Sequence, residues 1–188
     1  MKLLKRLLFI PLLLGIGVHL SAAPEISFVF GPRVGISYSA TTTANFNSLI
    51  QEYFPAPERS YLPIMSQFGV NFEQRVQLGL TDSHFAFEEV IMLTGLDQSV
   101  FIPSVSLLIG FRSKAGLEFG LGPSFSVTYS DSGLNIPVTV VYAVGWTISF
   151  SDVYIPINLV ILPTPADGFP RFGILTGFNF FVGDQPYE

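Results

Sequence analysis

The chain has 188 residues, of which 49% are hydrophobic and 12% are charged, whereas ordinary soluble domains contain about 25% charged residues. The chain has too few charged residues to cover a surface that faces water. The absence of cysteine excludes disulfides, a thiol nucleophile, a thiolate metal site and an acylated lipoprotein anchor. The formal net charge of −5 argues against nucleic acid as a partner.

The first predicted element is a secretory signal peptide that covers residues 1–22. Lys2, Lys5 and Arg6 precede an apolar run, and small side chains follow at residues 21–23. The apolar run is shorter than the roughly 20 residues of a membrane-spanning helix, which makes an uncleaved anchor the less favoured alternative. Cleavage before Ala23 leaves one domain, residues 23–188, with six basic and fourteen acidic residues and a net charge of −8.

Residues 26–40 form the first predicted β-strand. Large apolar side chains alternate there with Gly, Ser and Arg, which gives the strand two unlike faces. The longest irregular stretch, residues 41–60, follows as the one substantial loop. Within it the apolar residues of 45–54 have helical spacing, although a loop that packs its own apolar side chains is the favoured interpretation.

Seven further strands are predicted between turn signals. The alternation is clearest from Leu117 to Tyr129, where apolar residues occupy the odd positions and Glu, Gly, Ser and Thr occupy the even ones. The segment 134–149 is apolar enough for a transmembrane helix, but its β-branched residues and Pro137 favour a strand. The seven predicted strands cover residues 62–78, 85–94, 101–112, 117–129, 134–149, 153–163 and 171–181, with a second loop at 164–170.

Together these strands predict an all-β fold, an antiparallel up-and-down β-barrel of about eight strands. An even number of antiparallel strands closes simply, with both termini on one side and the 41–60 loop on the other, outside the cell. The apolar faces then point outward into lipid and the small faces into a tight interior.

Proline is the main evidence against regular strands. Each proline removes a ladder donor, so either some strand limits are wrong or bulges occur. The six prolines inside or near predicted strands are Pro32, Pro63, Pro103, Pro123, Pro137 and Pro156.

Taken together, these features resemble those of the small outer-membrane β-barrel proteins. The resemblance covers residues 23–188 and is architectural, without a diagnostic motif. It implies a location in the outer membrane, with membrane lipid and the barrel assembly machinery as partners. The residues that carry it, besides the alternation, are aromatics near strand ends: Tyr38, Tyr129, Trp146 and Phe150.

The last predicted strand bears on that resemblance. Outer-membrane barrels often finish with an alternating strand that a terminal aromatic closes and that the assembly machinery reads. Residues 182–188 extend past the matching strand here, which departs from the pattern and indicates a periplasmic tail or a different assembly signal. The residues that match are Phe172, Ile174, Phe178 and Phe180.

An eight-stranded barrel is only wide enough to be filled by its own side chains, so a general diffusion pore is not expected. The hairpin connection between two strands places Arg112 opposite Glu118 on the inward face. A structural plug of paired charges is favoured over a ligand or ion path. The predicted lumenal polar network comprises Arg33, Gln67, Asn71, Glu73, Arg75, Arg112, Glu118, Asn135 and Asn158.

Enzymatic chemistry has little support in the sequence. His84 is the only histidine after the signal peptide, and no G-x-S-x-G motif is present. Glu88 and Glu89 are adjacent, so in a strand they point to opposite faces and do not share a substrate. We therefore predict no catalytic residue, cofactor or metal site; an acyl hydrolase that uses His84 is the remaining enzymatic alternative.

Two functions from different classes fit the pattern. The leading hypothesis is a non-enzymatic integral outer-membrane barrel with a structural or surface-interaction role. An extracellular partner would then contact residues 41–60, through Phe46, Tyr53 and Phe54, and the 164–170 loop. The alternative is a secreted or periplasmic lipocalin-like barrel whose large apolar faces point inward around a small hydrophobic ligand.

Overall fold

In a computed structural model the chain forms a closed ring of antiparallel strands. The structure describes residues 26–54, 59–78, 82–130, 133–150, 153–163 and 168–182. The predicted signal peptide and residues 183–188 of the predicted tail 182–188 lie outside the described residues. The elements in chain order are β1 (Ile26–Ser39), α1 (Thr43–Tyr53), β2 (Ile64–Gln77), β3 (His84–Thr94), a 3₁₀ turn (Leu96–Gln98), β4 (Ile102–Arg112), β5 (Leu117–Ser126), β6 (Thr128–Ser130), β7 (Gly133–Asn135), β8 (Val138–Phe150), β9 (Val153–Leu162), β10 (Arg171–Gly177) and β11 (Phe180–Val182).

Eight strand positions, called staves below, make up the barrel wall. The last stave consists of β10 and β11 together. β1 pairs with β2 on one side and with β10 and β11 on the other, which closes the ring. Each remaining stave pairs with its neighbours along the chain, and β6 and β7 form a separate two-stranded hairpin between β5 and β8. The predicted all-β antiparallel barrel is confirmed.

The two faces of the strands have opposite character. Small, polar and charged side chains point inward, and large apolar side chains cover the exterior, where they remain exposed. This orientation is the reverse of what the lipocalin-like alternative requires, so that alternative is wrong. One exposed apolar residue from the middle of each stave illustrates the exterior: Val34, Phe72, Phe87, Ile109, Leu121, Val144, Leu159 and Ile174.

The two ends of the barrel differ in their connections. One end, called the outer end below, carries α1, the 3₁₀ turn, the β6–β7 hairpin and the connection from β9 to β10. The other, called the inner end, carries the tight turn at residues 113–116 and the outermost residues of β1 and β11. Both ends of the barrel chain therefore lie on the side opposite α1, as an up-and-down topology requires.

The prolines interrupt the ladders without shifting their register. β1 pairs with β10 and β11 in one continuous register, and the gap between them falls where Phe178 would face Pro32. Pro156 of β9 lies beside the same break. Pro123 of β5 coincides with a similar gap in the β4–β5 ladder. These positions contain missing hydrogen bonds rather than bulges, because no residue is inserted on either strand.

Two predicted strand limits are wrong. The predicted strand 117–129 ends at Ser126, and the predicted strand 134–149 begins at Val138, because Pro137 separates β7 from β8. The transmembrane-helix alternative for residues 134–149 is also wrong, since this segment is β-structure. Among the described residues, no helix has the length and apolarity that crossing a lipid bilayer requires.

The favoured interpretation of residues 45–54 as a loop is wrong as well, because residues 43–53 form α1. The side chain of Thr42 caps this helix by accepting a hydrogen bond from the Asn45 amide at 3.3 Å. Phe46 and Ile50 lie one turn apart and are both buried. Packing of this apolar stripe, rather than helix propensity, stabilises a helix of only 11 residues.

A charge on the exterior should destabilise the barrel only where that exterior contacts lipid. Val144→Arg, at the middle of β8, should lower the free energy of unfolding by about 2–4 kcal/mol. Leu134→Arg on the β6–β7 hairpin is the matched control, because Leu134 is even more exposed but lies beyond the barrel wall; it should change stability by less than about 0.5 kcal/mol. Urea unfolding in lipid vesicles measures both, and equal effects would contradict a lipid-facing wall.

Candidate functional site

Arg112 of β4 lies at the centre of an ion-pair cluster in the barrel interior. Its three carboxylate partners are Glu73 from β2, Glu88 from β3 and Glu118 from β5. Its Nε lies 3.1 Å from Glu73 Oε1 and 3.5 Å from Glu118 Oε1, and its Nη2 pairs with Glu88. Arg75 Nε donates to the same Glu73 oxygen at 2.8 Å. One guanidinium group therefore ties four consecutive staves together.

Neighbouring groups complete this cluster. The β4–β5 register places Arg112 directly opposite Glu118, the pairing that the hairpin connection predicts. Thr147 of β8 donates its hydroxyl to Glu118 Oε1 at 2.5 Å. Arg112 Nη1 donates to the carbonyl oxygens of Phe111 and Phe119 at 3.1 and 3.2 Å. The buried charges are thus both paired and hydrogen-bonded, which burial of charge requires.

Sequence reasoning missed Glu88 in this cluster. The signal was present in the alternation of β3, because Phe85 and Phe87 point outward and Glu88 therefore points inward. Its neighbour Glu89 is exposed on the exterior. The expectation that the two carboxylates point to opposite faces is confirmed.

Arg33 forms a second polar contact, at the closing seam of the barrel. Its Nη2 donates to Oδ1 of Asn179 at 2.6 Å, and its Nη1 donates to the carbonyl oxygens of Pro32 and Phe178 at 3.0 and 3.3 Å. Phe178 faces Pro32, which has no N–H to donate. The Arg33 side chain therefore supplies a donor to the carbonyl group that the ladder leaves unpaired.

The other predicted network residues divide into two groups. Gln67, Asn71 and Asn158 line the interior cavity, and Arg75 lies over the ring of Phe181 at 5.5 Å. Asn135, in contrast, is not an interior residue: it is exposed in β7. The reason is that β7 belongs to the separate hairpin, where the side chains at alternate positions do not point into the barrel.

The interior retains a cavity of about 100 Å³, so side chains do not fill the lumen completely. Charged residues of the Arg112 cluster line its inner part, and Thr94, Ser126 and Leu175 line its outer part. Both polar atoms of the Asn71 side chain are buried and make no hydrogen bond to any residue that the structure describes. A smaller cavity of about 40 Å³ lies under α1.

α1 closes the outer mouth of the barrel. Phe46 and Ile50 pack into a buried apolar cluster with residues from the 3₁₀ region and from β2 and β4. Asn47 anchors the returning chain, because its amide group donates to the carbonyl of Tyr61 at 2.8 Å and accepts from the Tyr61 amide at 2.6 Å. The remaining cluster members are Tyr61, Met65, Val100 and Ile102.

This packing corrects the predicted outer contacts. Phe46 is only 3% exposed, so it holds α1 in place and is not an exposed contact. Phe54 packs against the same cluster, and Tyr53 is half-buried and lines the small cavity under the helix. The aromatic residues of this loop point into the mouth of the barrel because the helix folds back over it.

Hydrogen bonds hold the neighbouring connection against the barrel. Asp97 accepts from the amide and hydroxyl groups of Ser66 at 2.9 and 2.6 Å. Partial burial opposes ionisation of Asp97, but the hydrogen bonds from Ser66 outweigh it and hold the pKa of this carboxyl below its usual range. Gln98 donates to the carbonyl oxygens of Leu62 and Ile64 at 3.1 and 2.6 Å. These bonds fix the 3₁₀ turn against the start of β2.

Sequence reasoning also missed the β6–β7 hairpin as a separate outer element. It exposes Tyr129 and Leu134, which are 67% and 63% exposed, and Ile136 follows it. β6 lies against α1, so the hairpin and the helix form one surface. In the sequence, Ser132-Gly133 is the turn signal of this hairpin, and Pro137 is the signal that separates it from the next strand.

No protein-family model matches the chain, and no curated protein matches it. Among solved structures it is similar to Ail, the attachment invasion locus protein of Yersinia pestis, in complex with the heparin analogue sucrose octasulfate: 14% identity, TM-score 0.49, covering 86% of this chain and 100% of that one. For Ail alone the values are 12%, 0.47, 86% and 100%. For Neisserial surface protein A they are 9%, 0.41, 85% and 99%. Similarity at this level carries no inference about function.

Removal of the Arg112 guanidinium should strongly destabilise the barrel. Arg112→Met leaves Glu88 and Glu118 buried without their basic partner, so the free energy of unfolding should fall by about 3–5 kcal/mol. Arg75→Met is the control and should cost less, because Glu73 keeps Arg112. Urea unfolding in detergent micelles measures both variants. Equal losses, or no recovery when Glu88→Gln is added to Arg112→Met, would contradict the central role of Arg112.

Loss of the Phe46 side chain should release α1 without opening the barrel. Phe46→Ala removes a buried ring from the apolar cluster, and such truncations cost about 3–5 kcal/mol. Protease cleavage within residues 43–62 should therefore accelerate, while the heat-dependent gel mobility of the barrel stays unchanged. The exposed Ser48→Ala is the control; equal cleavage rates would show that Phe46 does not hold the helix.

Proposed function

We propose that this protein is an integral outer-membrane β-barrel, without enzymatic activity, that presents an interaction surface at its outer end. The observation that carries the proposal is the apolar exterior of the closed barrel. A monomeric soluble protein rarely exposes a continuous apolar surface of this extent, whereas lipid matches it. The staves contain 10 to 14 residues, and a tilted transmembrane strand needs about 9–11.

The interior supports a structural rather than a catalytic role for its charges. Glu73, Glu88 and Glu118 are held by arginine side chains and are therefore engaged as ion-pair partners. Among the described residues, no group of three histidine, aspartate or glutamate side chains lies close enough to hold a metal ion. The cavity is small and lies beneath a helix that covers the outer mouth.

The outer surface consists of the exposed side of α1 and the β6–β7 hairpin. Tyr129, Leu134 and Ile136 give it an apolar, aromatic character that fits a protein partner. Arg59 is the only basic residue in the described parts of the outer connections, and Arg171 begins β10. A polyanion such as the sucrose octasulfate bound to Ail would find little positive charge here, so we propose a protein partner instead.

Membrane fractionation tests the location. The native protein should stay in the membrane fraction through an alkaline wash, and unboiled and boiled samples should differ in gel mobility because a closed barrel resists detergent. Release into the soluble fraction would overturn the proposal. The wash separates an integral protein from one that is only adsorbed.

Epitope accessibility tests the orientation. A tag inserted after Ser130, in the β6–β7 hairpin, should be labelled on intact cells by an antibody. The same tag inserted at Lys114, in the tight turn of the inner end, should be labelled only after the outer membrane is permeabilised. The reverse pattern would place the proposed surface in the periplasm and exclude an extracellular partner.

A further inference from the structure

Asn71 is a buried polar residue whose side chain has no partner among the described residues. It is 1% exposed and lines the interior cavity, and neither its amide oxygen nor its amide nitrogen forms a hydrogen bond with any residue that the structure describes. The strand register gives the reason, because the residues directly beside it are Gly31 of β1 and Val90 of β3, and neither side chain carries a polar group. Buried amide groups are normally hydrogen-bonded, so this one indicates a partner from outside the chain.

Small residues on the opposite wall keep the space beside Asn71 open. β8 is the fourth stave from β2 in either direction around the ring, so it lies across the barrel. Its residue Ala143 lines the cavity together with Gly120 of β5, and a Cβ atom added to Gly120 would meet its nearest neighbour, Glu88 Oε1, at an ordinary contact distance of 3.4 Å. The cavity measures about 100 Å³, and a cavity of about 150 Å³ binds benzene. The space therefore suits a molecule slightly smaller than benzene.

The remaining lining favours one molecule with a hydrocarbon body over a group of water molecules. A buried water molecule typically forms about three hydrogen bonds. Much of this cavity wall offers none, whereas ligand sites commonly combine an apolar wall with a few polar groups that fix orientation. The apolar side chains of the lining are Val90, Met92, Leu108, Val141, Val160 and Leu175.

Other polar groups of the lining already have partners within the wall. Glu88 pairs with Arg112, and Arg33 is held at the closing seam. Ser106 donates its hydroxyl to that of Ser124 at 2.9 Å. A charged ligand would have to break one of these ion pairs, which is costly for buried charges. An uncharged molecule that bonds to the unpaired amide therefore fits the site.

The cavity can be reached from the outer end of the barrel. The smaller cavity under α1 shares the lining residues Ser37, Thr94 and Ser126 with it, so the two spaces adjoin. At the inner end, the Arg112 cluster occupies the lumen. The route to Asn71 therefore passes beneath α1.

We propose that the interior cavity binds a small uncharged molecule that carries a primary carboxamide on a short aliphatic body. A carboxamide presents a donor and an acceptor side by side. It therefore accepts a hydrogen bond from Nδ2 of Asn71 and donates one to Oδ1, while its aliphatic body lies beside Gly120 and Ala143. This binding activity is additional to the proposed surface interaction and does not depend on the membrane location.

Titration with propionamide tests the site. Nuclear magnetic resonance of the deuterated, folded protein in detergent micelles should show magnetisation transfer from the aliphatic protons of propionamide to the side-chain amide protons of Asn71. Methyl acetate is the matched control compound, because it has the same number of non-hydrogen atoms and an acceptor but no donor, and it should bind at least tenfold more weakly. Contact of the Asn71 amide with water alone, or equal binding of the two compounds, would overturn the proposal.

Variants test which residues hold the molecule. Asn71→Leu replaces the unpaired amide by an apolar group of similar size, so the barrel should keep its heat-dependent gel mobility while propionamide binding weakens at least tenfold. Ala143→Leu should have the same effect on binding, because the longer side chain fills the cavity. Val144→Leu, on the exterior beside Ala143, is the matched control and should bind as tightly as the unchanged chain. Unchanged binding in Asn71→Leu, or in a folded Ala143→Leu barrel, would overturn the proposal.

Discussion

Closure of the strand ring is the constraint on which the other features depend. In the proposed membrane location, lipid would offer no water to backbone N–H and C=O groups, so each strand would have to pair on both sides. The pairing of β1 with both β2 and the last stave completes that requirement. Closure also assigns every side chain to one of two environments by parity, and this explains why the chain alternates large apolar residues with small or polar ones.

The interior charges follow from the same geometry. Glu73, Glu88 and Glu118 lie in the narrow lumen with arginine side chains, so each of these carboxylates needs a partner within the wall. Arginine suits this role because its planar guanidinium presents several donors in a fixed arrangement. Arg112 uses them to contact three strands besides its own. A different interaction stabilises the outer end, namely the apolar cluster under α1. The outer end is therefore a structural unit separate from the barrel wall.

The alternation of side chains along each strand explains which structural features the sequence predicts well and which it does not. The strand number, the facing of each strand and the Arg112–Glu118 pairing depend on alternation and hairpin length, which are local. The docking of α1 depends on Tyr61, Met65, Val100 and Ile102, which are distant in sequence, so helical spacing alone did not decide between helix and loop. The same limit explains the errors at Phe46 and Asn135, whose environments are set by elements that fold back over or away from the barrel.

The closing seam has a consequence for how such a barrel is made. The first and last staves can pair only when all the staves between them are in place. Their ladder lacks a backbone hydrogen bond where Pro32 faces Phe178. Arg33 replaces that bond with a side-chain hydrogen bond, and its second partner, Asn179, also belongs to the last stave. These side-chain bonds can form only when the last stave is in place, so a residue that also belongs to the interior completes the closure of the wall.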